Sequence, residues 1–111
     1  MAKYMLLLKG GVSKGYSAED LQKMVEKYMA WADKLRTEDR YRAGEELQTS
    51  GKVLRKEGQR VVDGPYVETK ETVGGFFLIE AKNFDDAITI SRECPHLDFG
   101  GEIEIHEVIP H

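Results

Sequence analysis

Gly74-Gly75-Phe76-Phe77-Leu78-Ile79-Glu80-Ala81-Lys82-Asn83-Phe84-Asp85-Asp86-Ala87-Ile88 holds the change of hydrophobic period that decides the fold. The stretch from Gly74 to Ala81 is a near-continuous apolar run, the pattern of a strand buried on both faces inside a sheet. Asn83 then offers a side-chain oxygen to the free N–H groups of a helix start, and Asp85 and Asp86 suit the positive end of its dipole. Phe84, Ala87, Ile88, Ser91 and Cys94 recur on one helical face, and Pro95 stops the helix. Beyond it, Glu102-Ile103-Glu104-Ile105-His106 alternates with period two, as a strand with one wet face does, and Val108 and Ile109 extend it.

Upstream, Tyr4 to Leu8 is a second apolar run, ended by Gly10-Gly11, and is expected to pair centrally with the Phe76 strand. Ser17-Ala18-Glu19-Asp20 supplies an N-cap hydroxyl and first-turn acids. Leu21, Met24, Val25, Tyr28, Trp31, Ala32 and Leu35 follow as one apolar stripe that predicts a long helix lying on the sheet. Thr37 to Glu46 reads as a polar connection near Tyr41 and Gly44, and Leu47 to Gly51 as a short extended segment. Lys52–Arg55 and Gln59–Val62 form a hairpin through Lys56-Glu57-Gly58, followed by a turn at Asp63-Gly64-Pro65 and a polar stretch from Val67 to Thr72.

The order is strand, helix, strand, hairpin, strand, helix, strand. It predicts an α+β domain: a split βαβ with one inserted hairpin, an antiparallel sheet and both helices on one face. The other sheet face still carries apolar side chains with no helix left to cover them, so a second copy of the same sheet is the expected cover, and a homodimer the expected assembly.

With 111 residues there is room for one core, so residues 1–111 are read as a single domain. Apolar residues make up 41% and charged residues 32%, which places the chain among globular sequences. A formal net charge of −4 argues against a phosphate-backbone partner, so nucleic acid is not expected. No run approaches the ~20 apolar residues of a membrane span, and the opening Met1-to-Lys9 stretch is too short in its apolar part for a signal peptide. Cys94 is the lone cysteine, which fits a reducing, cytoplasmic setting. The glycine pairs lack phosphate-cradling context and no two histidines have metal-ligand spacing, so neither cofactor nor metal is expected.

Asp63-Gly64-Pro65-Tyr66-Val67-Glu68-Thr69-Lys70-Glu71, followed by Gly74-Gly75-Phe76, resembles the signature of the DGPF group of YCII-related proteins. Tyr4-Met5-Leu6-Leu7, Gly44-Glu45, Cys94-Pro95-His96, Gly100-Gly101 and Ile103-Glu104 continue the resemblance over nearly the whole chain. It implies the ferredoxin-like dimeric α+β barrel. Tyr66 stands where the named motif has Phe. The broader family looks to carry a helix-one His and an Asp before Pro as an acid/base pair, where this chain has Trp31 and Cys94, so that pair does not transfer.

Each candidate residue has two readings. Asp63 either accepts backbone N–H bonds in an Asx turn or serves as a functional carboxylate. Glu68 and Lys70 share one face of an extended segment, either as solvated charges or as base and anion holder lining a cavity. His96 follows Pro95 at a helix end, where carbonyls favour the imidazolium, and is either a proton carrier or a cap. Trp31 is core or a ligand platform, Tyr66 brings a hydroxyl needing a partner, and Gly75 allows close packing. Two functions follow. By analogy with other dimeric barrels, one is a cofactor-independent enzyme acting by proton transfer on a small aromatic or polyketide-like metabolite, with Asp63, His96 and Lys70 as base, acid and anion holder and Trp31, Tyr66, Glu68 and Gly75 as ligand contacts. The other is a non-catalytic ligand-binding or regulatory module, because DGPF domains look to occur beside sigma-factor proteins.

Overall fold

The computed structural model of the chain describes residues 1–11, 15–48, 50–65 and 72–111, and at Val62, Asp63 and Pro65 the backbone alone. Among the described residues, six strands and two α-helices follow in the order β1 (Ala2–Gly10), α1 (Ala18–Thr37), β2 (Tyr41–Glu46), β3 (Lys52–Glu57), β4 (Arg60–Pro65), β5 (Val73–Ala81), α2 (Phe84–Ser91) and β6 (Gly101–Glu107), with a 3₁₀ turn at Pro95–Phe99. The main sheet runs β2-β5-β1-β6 and is antiparallel throughout; β3 and β4 form a separate two-stranded ribbon. This is the expected ferredoxin-like α+β architecture with its inserted hairpin.

The helix starts follow local chemistry. Ser17 Oγ accepts from the Asp20 N–H while the Asp20 carboxylate accepts from the Ser17 N–H, and Asn83 accepts from the Asp86 N–H. α1 ends in a Schellman motif: Asp39 takes φ +57°, its N–H bonds to the Arg36 carbonyl, and the Arg40 N–H reaches back to the Leu35 carbonyl at 2.8 Å. The chain therefore turns straight into β2 at Tyr41. Of the expected polar connection over Thr37 to Glu46, Tyr41–Glu46 is in fact this edge strand, whose exposed charges guard an unpaired edge, and the described residues of the segment after it, Leu47 to Gly51, lie in no strand.

Three further expectations change. Asp63-Gly64-Pro65 is not a turn but the end of β4, with Asp63 paired to Leu54, because the hairpin reverses at Gly58, whose φ is +61°. Helix α2 stops at Ser91, so Cys94 lies beyond it, and Pro95 opens the 3₁₀ turn. Val108 and Ile109 lie outside β6.

The core sits between the helices and one face of the sheet: Tyr4, Leu6, Leu8, Ile79 and Ala81 from β1 and β5 meet Trp31 and Leu35 of α1 and Ala87 of α2. Only the later turns of the α1 stripe are buried; Leu21 and Val25 remain 39% and 42% exposed. On the opposite sheet face the register aligns Glu45, Phe76, Leu7 and Glu104 in one row and Ala43, Leu78, Met5 and His106 in the next. Phe76, Leu7, Leu78 and Met5 are half-buried there, with no layer over them among the described residues.

Asp86 ties α2 to the start of β2. Its carboxylate accepts from the Lys82 N–H and from Arg40, each at 2.9 Å, and these bonds, the backbone one first, hold its pKa below the ordinary carboxylate value. Because the folded value is the lower one, the stabilisation is complete above the unfolded value of ~3.9 and is lost as pH falls through the folded one. Asp86→Asn is expected to cost about 1.5–3 kcal/mol at neutral pH, and the gap to the parent in urea denaturation should close as pH drops below ~4.

Candidate functional site

His96 is held at one end of the sheet by three segments. The 3₁₀ turn carries it inward until it is 6% exposed. Its Nε2 lies 2.9 Å from the Lys9 carbonyl at the end of β1, and its Nδ1 lies 2.8 Å from the Tyr28 hydroxyl on α1. A backbone carbonyl only accepts, so Nε2 carries a proton and donates it; in the neutral ring Nδ1 is then the acceptor and the Tyr28 phenol donates. Hydroxyl, imidazole and orienting carbonyl thus form a linear chain of the kind that activates a hydroxyl in nucleophilic and acid/base sites.

Glycine makes the space for this ring. A Cβ on Gly101 would fall on the imidazole, and one on Gly11, whose φ is +106°, would sit 3.3 Å from Cε1. The sequence expectation placed His96 at the carbonyl end of a helix; the structure instead puts it in the first turn of the 3₁₀ segment, facing inward.

Tyr28 is half-buried, and burial, reinforced by the nearby Cys94 and Glu46, raises its pKa above the ordinary phenol value. It therefore stays a proton donor through the neutral range. Cys94, beside the site, is buried and its thiol is pushed up to about 11 by that burial, so it is an unreactive thiol. Trp31, three residues after Tyr28 on the same face of α1, packs edge-on against Phe77 with centroids 5.0 Å apart. Its Nε1–H is buried and has no hydrogen-bond partner among the described residues.

The structure brings His96 together with Tyr28 and Lys9, and sets Trp31 one turn away. Of the other expected site residues, Lys70, Tyr66 and Glu68 lie outside the described residues, as does the side chain of Asp63. Gly75 is a close-packing position, since a Cβ there would stand 2.9 Å from the Glu45 carbonyl of β2. Sequence reasoning took Tyr28 as one more stripe residue. The signal for its role was its hydroxyl, which needs a partner once the ring is partly buried. Among the described residues no three His, Cys, Asp or Glu side chains converge as a metal site, and no helix is long and apolar enough to cross a membrane.

The sequence profile of the YCII-related domain matches residues 2–111. An uncharacterised protein of Rhizobium meliloti is 46% identical over 33 residues, a match that covers 30% of this chain and spans 27% of that protein's length.

Proposed function

The chain belongs to the YCII-related domain family, and from that premise we propose that it is a small cofactor-independent enzyme, acting as a homodimer, that moves a proton on an aromatic or polyketide-like metabolite. One observation carries this reading: the hydroxyl of Tyr28 bonded to a buried imidazole whose other nitrogen is fixed by the Lys9 carbonyl. In the proposed step a proton leaves an acidic C–H or O–H of the substrate for the Tyr28 oxygen while the phenol proton passes to His96 Nδ1. The phenol is restored, the substrate becomes an enolate or phenolate, and the balancing positive charge is an imidazolium held by the Lys9 carbonyl. Raised as it is by burial, the phenol does not ionise alone, so the two transfers are coupled. Return of the proton to a different substrate atom completes an isomerisation.

The homodimer reading is supported by the sheet face of Met5, Leu7, Phe76 and Leu78, which an identical face would cover by two-fold symmetry. A second function, ligand binding without turnover, is favoured by the buried Trp31 Nε1–H, a donor with no hydrogen-bond partner among the described residues that a ligand oxygen would satisfy.

Trp31 is the chain's only tryptophan, so its fluorescence reports binding beside the site. Titration with phenols, hydroxyquinones and β-diketones is expected to find a compound that changes the emission and is turned over. Tyr28→Phe should then lower kcat by about 10²–10⁴-fold while the fluorescence response to that compound persists. Binding without turnover of any compound would sink the enzyme and leave the binding module.

A further inference from the structure

The β3–β4 ribbon is the one part of the described structure that buries little of itself. Its strands pair only with each other. The chain measures 48 × 43 × 18 Å with a radius of gyration of 15.9 Å, against ~13 Å for a compact domain of this length. Leu54 and Val61 are 67% and 66% exposed. The register pairs Leu54 with Asp63 and Lys56 with Val61, so Leu54, Lys56 and Val61 share one face, with the two apolar residues as diagonal neighbours. An isolated two-stranded ribbon is marginal in water, so a ribbon with an apolar face needs something to lie on.

Charge says what. The ribbon, residues 52–65, carries four basic side chains and two acidic ones, a net +2 on a chain of −4, so the remainder carries −6. Arg55, Lys56 and Arg60 have no ion-pair or hydrogen-bond partner among the described residues. On the open sheet face, Glu45 and Glu102 are exposed and likewise unpaired among the described residues, and Glu45 stands directly beside Phe76 at the border of the apolar centre. An apolar pair flanked by a lysine thus matches an apolar centre flanked by carboxylates on the same molecule.

We propose that the ribbon is an arm that docks on a second copy of this chain. Leu54 and Val61 close over the border of that copy's apolar sheet face, Lys56 meets its Glu45 at the β2 edge, and Arg55 and Arg60 on the reverse face, with Glu102 on the opposite, β6 edge, add to the longer-range attraction. This rests on the homodimer reading and adds to it an element that clasps, outside the stacked sheets.

Sedimentation equilibrium at low salt tests it with full-length variants. Arg55→Glu/Lys56→Glu/Arg60→Glu alters exposed residues only, so circular dichroism should show an unchanged fold, and the dimer dissociation constant should rise by about tenfold or more. Glu45→Lys/Glu102→Lys should weaken the dimer similarly, and combining both sets should recover most of the loss. A dimer constant within about twofold of the parent after the arm reversal overturns the arm, as does failure of the combined variant to recover affinity. Retained dimerisation with loss of duplex-DNA binding in the arm variant would make nucleic acid the occupant and also overturn it. Phe76→Lys/Leu78→Lys separates the two ideas: a dimer that survives this change but not the arm reversal removes the stacked sheets and keeps the arm, and a parent protein monomeric at every concentration removes both.

Discussion

Gly101→Ala is expected to expel the His96 ring from its slot, break the bond to Tyr28 and destabilise the protein by about 1–3 kcal/mol in urea denaturation. The new methyl would occupy the place of the imidazole itself, and neither group can yield freely, because the ring is tied at both nitrogens and Gly101 opens β6 in register with Gly10. The change should abolish turnover as completely as loss of the histidine. A cycle with His96→Ala separates steric from chemical effects: once the ring is gone the extra methyl has room, so Gly101→Ala should cost nearly nothing in that background. Equal costs in both backgrounds would mean that the glycine matters for the strand and not for the ring.

Leu6→Ala carries the largest stability effect expected anywhere in the chain, about 2–5 kcal/mol. Leu6 is 0% exposed on the central strand, between Phe77 of β5 and Ile105 of β6. Against a total of ~5–15 kcal/mol this threatens the folded state itself. The same truncation at Leu54, exposed on the arm, should leave the urea midpoint of the single chain almost unmoved. A comparable loss at both positions would mean that the arm folds back onto its own domain.

Local chemistry was legible in the sequence and long-range geometry was not. Both helix starts could be read because Ser17 with Asp20, and Asn83 with Asp86, form bonds within three residues. The central strands could be read as well, since Tyr4–Leu8 and Phe76–Ile79 are apolar on both faces. The end of α1 escaped because an aspartate, Asp39, holds the left-handed position where glycine is the usual signal. β2 escaped because an edge strand tolerates charges, and because its Gly44, which reads as a breaker, leaves room for the Phe77 ring that would lie 2.8 Å from a Cβ. The stripe on α1 predicted a buried face but not how far the sheet extends beneath it, hence the exposed Leu21 and Val25. In the site, His96 was picked out by its residue type and its place after Pro95, at what reads as a helix end. Its partner Tyr28 lies 68 residues away, a pairing that only the crossover of the chain creates.

The position of β1 has a consequence for how the protein is made. β1 precedes both of its partners in the chain yet lies at the centre of the sheet between β5 and β6, so Leu6 waits for Phe77 on one side and Ile105 on the other. Closing such distant pairs forfeits loop entropy before any contact offsets it, which places the chain among slow folders of high contact order. During translation the Tyr4–Leu8 run therefore stays a bare apolar strand until β5 and β6 have been made, and over that interval its exposure favours aggregation.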